Sequence, residues 1–271
     1  MRFAICNEIF DGWTLERICD FCRPLGYEGL EISPFTLGEK PAKLTASERA
    51  HLRRAVEDRG MEIVGLHWLL AKTTGFYVTH PDAAIRRATA EYILGLVHLC
   101  ADLGGRVMVI GSPKQRSLLP GVGTAQAMEY AAEVFRPSLD PALSRGITLA
   151  IEPLGPAETD FLNTAAQGIE LIDRLNHPAF RLHLDVKAMS SEPTPIPQII
   201  RDSARHIAHF HANDPNLRGP GMGDVDHRPI IAALRQAGYA GWLSVETFDT
   251  SVPPEKTAEE SVRYLKQVCA L

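Results

Sequence analysis

A single (β/α)8 TIM barrel spanning residues 1–271 is the α/β fold this sequence predicts, and three observations predict it. Short β-like runs alternate with segments of helical periodicity eight times along the chain. The length of 271 residues fits one eight-unit barrel, a fold that typically takes about 250 residues. Four consecutive late strands each place their carboxylate and imidazole side chains on one parity, and only a closed sheet gathers such residues at one point. An open doubly wound sheet shares the alternation. However, neither G-x-G-x-x-G nor G-x-x-x-x-G-K-[ST] follows an early strand, and no low-complexity linker divides the chain.

The elements follow in order. A first strand is read at 3–9, then a helix that Thr14 caps and Gly26 ends. The second strand is read at 29–33, with its helix closed by Asp58-Arg59-Gly60. The third, at 62–69, precedes a long helix over 82–103 that Gly104-Gly105 ends. The fourth, at 106–111, leads into a helix from 124 that Pro137 and Pro141 are expected to bend or interrupt. The fifth lies at 147–154, and Thr164 caps its helix. The sixth, at 180–188, is followed by a short helix near 197–205. The seventh, at 207–213, precedes a helix with Pro229 in its first turn and Gly238 past its end. The eighth lies at 242–248, and a last helix runs to the C-terminus.

Composition narrows the function. Hydrophobic residues at 45%, charged residues at 23% and a mean hydropathy of −0.07 exclude disorder, coiled coils and fibres. No apolar run reaches the roughly 18 residues of a membrane span. A net charge of −5 with dispersed Lys and Arg argues against nucleic-acid binding through phosphate neutralisation. Glu8 arrives too early for a signal peptide, so the five cysteines are read as reduced thiols of a cytoplasmic protein. Cys19 and Cys22 form a C-x-x-C, but they fall on the apolar face of the first helix with no second pair or nearby His. They read as packing rather than as a redox or zinc site.

The chemistry lies at the C-terminal ends of strands five to eight, where barrel enzymes build their sites. In Thr148-Leu-Ala-Ile-Glu152, Leu149 and Ile151 oppose Ala150 and Glu152. In Leu182-His-Leu-Asp-Val-Lys187, the polar parity is His183, Asp185 and Lys187. In Ala208-His-Phe-His-Ala-Asn213 it is His209, His211 and Asn213, and in Leu243-Ser-Val-Glu246 it is Ser244 and Glu246. With the apolar parity facing the helices, Glu152, Asp185, His211 and Glu246 enter the lumen together. One such residue alone would be a cap, a surface group or a satisfied core histidine. Three carboxylates crowded together repel, and burying them bare is costly. One divalent cation resolves the conflict. Oxygen-rich donors with one imidazole suit Mn2+ best, with Mg2+ or Co2+ as alternatives, and leave two octahedral positions for substrate oxygens.

Ile151-Glu152-Pro153, His183-Leu184-Asp185, His209-Phe-His-Ala-Asn-Asp214 and Ser244-Val245-Glu246 resemble the sugar phosphate isomerase/epimerase superfamily of xylose isomerase-like barrels. Within it the chain is most similar to ketose 3-epimerases of the tagatose/psicose type. The resemblance covers nearly the whole chain, strongest over strands five to eight and weak before Gly65. It implies that Glu152, Asp185, His211 and Glu246 hold the metal, usually Mn2+, one per chain and with no nucleotide cofactor. It implies that Glu152 and Glu246 are the acid/base pair on opposite faces of a sugar or sugar phosphate. Proton abstraction beside a carbonyl would give a metal-stabilised cis-enediolate, and the site of proton return decides epimerisation or isomerisation.

Further positions follow from the resemblance. Glu158 lies in a stretch similar to the epimerases' E-P-L-x3-E-T-x-F-L-N-T and would bind substrate. His67 and Trp68 either line the pocket or pack in the core, and Trp13 either supplies an apolar wall or packs. Lys114 and Arg116 read as a solvated loop rather than a phosphate site. Two departures concern recognition. The epimerases' His three residues after the strand-six Asp is Ala188 here, preceded by Lys187. Their Arg six residues after the metal His is Leu217, with Arg218 next. Lys187 and Arg218 are therefore candidate substrate contacts, and psicose or tagatose activity does not follow. A keto-inositol or keto-acid dehydratase on the same metal site is the alternative. An endonuclease IV-like abasic-site nuclease is disfavoured by the acidic charge and by Ala188. The partner expected is a small sugar-derived molecule, with neither nucleic acid nor membrane. Homodimers and homotetramers are common among such barrels, and no isolated apolar stripe marks an interface here.

Overall fold

The computed structural model describes residues 1–270. Eight parallel strands run β1 (Arg2–Cys6), β2 (Gly29–Ile32), β3 (Glu62–Leu66), β4 (Val107–Ile110), β5 (Thr148–Ile151), β6 (Phe180–Asp185), β7 (Ile207–Ala212) and β8 (Trp242–Val245). They pair in sequential order, and β8 returns to β1 with Phe3 opposite Leu243, so the sheet is a closed barrel. Around it lie α1 (Leu15–Leu25), α2 (Ala46–Glu57), α3 (Ala83–Asp102), α4 (Thr124–Ser144), α5 (Ala165–Leu175), α6 (Val186–Met189), α7 (Ile196–Ser203), α8 (His227–Gln236) and α9 (Pro254–Ala270).

Local sequence explains the helix ends. The Thr14 hydroxyl accepts from the Arg17 N–H at the start of α1, and Gly26 ends it at φ 104°, where a side chain would be strained. Thr164 and Gln167 form a reciprocal capping box on α5. Asp82 caps α3 through the Ala84 N–H. The C-x-x-C cysteines are buried in α1, and burial pushes the Cys19 thiol up to about 12. Among the described residues no helix is long and apolar enough to cross a membrane.

Two expectations are corrected. The strands stop short of their expected C-terminal limits: β1 at Cys6, β3 at Leu66 and β6 at Asp185. Apolar alternation continues past the last ladder bond because the strand ends stay buried beneath the loops. A 3-10 turn over Asn7–Ile9 follows β1, and Asp185 caps α6 through the Ala188 N–H. Helix α4, in contrast, continues through Pro137 and Pro141. Ala131, Val134 and Phe135 before the prolines and Ser138, Leu139 and Ala142 between and after them are all buried. Packing on both sides outweighs the roughly 3 kcal/mol that an interior proline costs.

The barrel separates two apolar layers. Ile5, Leu30, Leu149, Ile151, Leu182, Leu184, Phe210, Leu243 and Val245 join the large core shared with the helices. Ala4, Val64, Val107, Val109 and Ala150 form a small cluster of their own, which fills the lumen on the β1, β3, β4 and β5 side. The parity of strands five to eight therefore holds at their C-terminal ends, whereas Ala208, expected to face the helices, packs on the lumen cluster where the register between β6 and β7 shifts. The polar side chains of these strand ends face inward, above and beside this plug of small residues.

Candidate metal centre at the barrel mouth

Glu152 and Glu246 directly follow β5 and β8, Asp185 ends β6, and His211 lies one residue before the end of β7. All four are buried. Parallel register sets Asp185 beside His211 and His183 beside His209. Ligating atoms of Glu152, His183, Asp185 and His211 all lie within 4.8 Å of one another. A second set of the same compactness joins His211 to Glu246, Cys6 and His67, and Nδ1 of His211 stands 3.2 Å from Oε2 of Glu246. The four expected residues thus converge, with His211 common to both sets.

A ring of buried polar groups fixes their orientation. Asp185 accepts from the Ala188 N–H at 2.8 Å and from the Asn213 amide at 2.5 Å. His211 Nε2 lies 3.2 Å from Oε2 of Glu31, which also takes His209 Nε2 at 2.8 Å. His67 bridges Glu246 at 3.0 Å and Glu8 at 2.8 Å, so it acts on the carboxylate rather than lining the cavity. Gly111 packs directly against the Glu152 carboxylate. Arg116, read from sequence as part of a solvated loop, is buried. Its guanidinium donates to the Glu152 carbonyl at 2.7 Å and so ties the fourth loop to the fifth strand end, while Lys114 stays exposed.

Glu8 and Glu31 were not anticipated. The signal for Glu31 was present: it alternates with Leu30 and Ile32 just as Asp185 alternates with its apolar neighbours. Glu8 lies beyond β1 on a 3-10 turn, where strand parity gives no guidance.

The carboxyls differ sharply in proton affinity. Burial, reinforced by the charges of Glu246 and Asp185, raises Glu152 well above the usual range. Burial and Glu246 push Asp185 up to about 6. Burial also opposes ionisation of Glu246 and Glu31. Their imidazole neighbours outweigh it, His211 and His67 for Glu246 and His209 and His211 for Glu31, and hold both below the usual range. His67 and His211 are desolvated, yet nearby carboxylates raise both well above the ordinary imidazole value, Glu8, Glu246 and Glu31 for His67 and Glu246 and Glu31 for His211.

The residues fit a divalent cation. Nδ1 of His211 is fully buried and makes no well-directed hydrogen bond although Oε2 of Glu246 stands 3.2 Å away, and Glu152 and Asp185 offer oxygens close to the same ring. A cation would supply the missing partner and offset the crowding of negative charge. With His211 Nε2 aimed at Glu31, Nδ1 is the free donor, the arrangement in which a carboxylate fixes a ligating imidazole.

The site opens into a cavity of about 580 Å3 lined by both Glu152 and Glu246. Its walls include Trp68, Leu154, Glu158, Lys187, Leu217 and Phe248. Lys187 bonds Glu158 at 2.7 Å and stands 4.8 Å from the Phe248 ring centre, so two of the expected contacts meet as one ion pair. Trp68 sits edge-on to Phe248 with centroids 5.5 Å apart, and its φ of 52° marks a strained turn at the rim. The other three, His67, Trp13 and Arg218, are not among the residues that line the cavity. Trp13 packs against Phe10 and Phe21 with Arg17 over its ring, so Trp68 and Phe248 form the aromatic wall instead. Arg218 turns to Asp249 at 2.7 Å.

Comparison with known proteins agrees with this architecture. The L-ribulose 3-epimerase of Mesorhizobium japonicum is 28% identical over 184 residues, 68% of this chain and 62% of that protein. The ketose 3-epimerase of Arthrobacter globiformis is 30% identical over 177 residues, 65% of this chain and 61% of that one. The match thus spans about three-fifths of these curated relatives' length. A crystal structure of D-psicose 3-epimerase in the presence of D-fructose superposes with a TM-score of 0.88 over 100% of both chains, at 21% identity. The family described as xylose isomerase-like TIM barrel matches residues 19–268. The chain belongs to that family.

Proposed function

We propose that residues 1–271 form one catalytic domain, a divalent-metal-dependent sugar or sugar-phosphate isomerase/epimerase. The observation that carries this reading is the convergence of Glu152, Asp185, His211 and Glu246 beneath a cavity that both glutamates line. The four residues would hold the cation, with Mn2+ the best match to the donor set. When bound, the cation acts as a Lewis acid on the substrate carbonyl and stabilises the negative charge that develops when the neighbouring carbon loses its proton. The protein supplies the proton traffic. One glutamate takes the proton, and the other returns one from the opposite side. His67 holds Glu246 from behind, Gly111 and Arg116 fix the position of Glu152, and Lys187 with Glu158 meets substrate hydroxyls. The ketose 3-epimerase names of the relatives and the extended match to their sequences support a ketose substrate. Ala188 and Leu217 depart from the His and Arg of the ketose 3-epimerase pattern that the sequence resembles, which argues that recognition beyond the reacting carbons differs.

The test is solvent exchange. With Mn2+ in D2O, the protein is expected to exchange an α-proton of at least one ketose in a broad panel, followed by NMR. Glu152→Gln and Glu246→Gln are each expected to lower the rate by at least about 100-fold. No exchange across the panel, or loss of water in place of exchange, overturns the reading.

A further inference from the structure

On strands β6 and β7, His183 and Asp185 stand opposite His209 and His211. Three of these four have defined partners. Asp185 takes the Ala188 and Asn213 donors, and Glu31 takes both His209 and His211. His183 has none. It is fully buried, and neither Nδ1 nor Nε2 makes a hydrogen bond. A core imidazole normally finds at least one partner, because leaving a buried polar group unsatisfied is costly. The ring instead packs edge-on against His211, with centroids 4.1 Å apart, and its Nε2 is 4.0 Å from Oε1 of Glu152. Glu152, His183, Asp185 and His211 offer ligating atoms within 4.8 Å of one another. Around an octahedral ion with bonds of about 2.1 Å, donor atoms are separated by about 3 to 4 Å, so a small adjustment of these side chains reaches that spacing.

We infer that His183 is an additional ligand of the cation centre, a role that rests on the metal-dependent reading above. The donor set becomes three carboxylates and two imidazoles. His183 would hold the cation together with Glu152, Asp185 and His211, adding a second imidazole to the donors. A second nitrogen donor moves relative affinity away from Mg2+ and toward Co2+ and Zn2+. This chain's centre is therefore more nitrogen-rich, and more selective for those ions, than its acidic quartet alone would be.

The test uses the full chain stripped of metal by chelation. Loaded with Co2+, it is expected to show two paramagnetically shifted, exchangeable imidazole N–H signals by proton NMR, one each from His211 and His183. His183→Leu and His183→Gln are each expected to show one. By calorimetry, both variants are expected to bind Co2+ and Zn2+ at least about tenfold more weakly, with Mg2+ affinity within about threefold of the parent. A single shifted N–H in the parent overturns the inference without recourse to any variant. So do unchanged Co2+ and Zn2+ affinities in folded variants. If the parent binds Co2+ tightly and only these outcomes occur, the catalytic reading survives. If the parent binds no divalent cation, both fall.

Discussion

A Cβ atom at Gly111 would stand 1.7 Å from Oε2 of Glu152, so the carboxylate occupies space that only glycine leaves open. Gly111→Ala therefore forces Glu152 to move while disturbing little else. Misplacing a catalytic group by about 1 Å costs about 100-fold in rate. Ketose proton exchange is expected to fall by about that factor, with an unchanged far-UV circular dichroism spectrum. An exchange rate equal to the parent's would remove Glu152 from the reaction.

His67 sits between two buried carboxylates, Glu8 and Glu246. Replacing it with leucine strands both without their shared partner. Stripping one member from a buried charged pair costs about 3–5 kcal/mol, and His67→Leu is expected to lower unfolding free energy in urea by about that much. His67→Gln keeps a donor and is expected to cost less. Equal stabilities for the two variants would show that the ring contributes packing alone.

Metal and pH are linked through the carboxyls. Asp185, pushed up to about 6, binds its proton more tightly in the folded chain than in the unfolded one. That contribution to stability is fully present below about pH 4 and is lost as pH rises through about 6. The chelator-treated protein should therefore lose stability across this window. A divalent cation needs the deprotonated carboxylates, so its stabilising effect should grow over the same range. At a Mn2+ concentration 100-fold above Kd, mass action gives about 2.7 kcal/mol. Thermal melts at pH 5 and pH 8, with Mn2+ and with chelator, measure the difference, and a Tm increment that shrinks toward pH 8 contradicts the assignment.

Thiol chemistry offers an independent check on the first helix. Cys6, Cys19, Cys22 and Cys100 are buried, and Cys269 is half-buried. Burial pushes Cys19 and Cys100 up to about 12, so neither is a thiolate near neutrality. At about pH 8 a thiol-reactive chromogen is expected to titrate at most one equivalent in the folded protein and all five after denaturation. Rapid release of two or more would reopen the redox reading of Cys19 and Cys22.

The sequence disclosed most where one physical rule governed. The C-terminal ends of strands β5 to β8 alternate, so parity alone gathered Glu152, Asp185, His211 and Glu246. Helix ends at Thr14, Gly26 and Thr164 were legible because capping is local. The remainder depended on approach across the barrel. The Arg116 loop does not show that its guanidinium folds under β5, and although Phe10 and Phe21 lie close to Trp13 in the chain, that proximity does not decide between packing and a place in the cavity wall. Glu31 could have been read from its parity, yet its partners His209 and His211 lie 178 and 180 residues further on.

The proposed donors all come from the second half of the chain, on β5 to β8. The carboxylates and imidazole that brace them from the other side, Glu8, Glu31 and His67, come from the first, on and just after β1 to β3. The two half-barrels thus divide the labour, one grasping the ion and the other keeping the grasp in shape. A chain cut after α4 would separate donors from braces, so recovery of tight cation binding on mixing the fragments would report that the halves had rejoined.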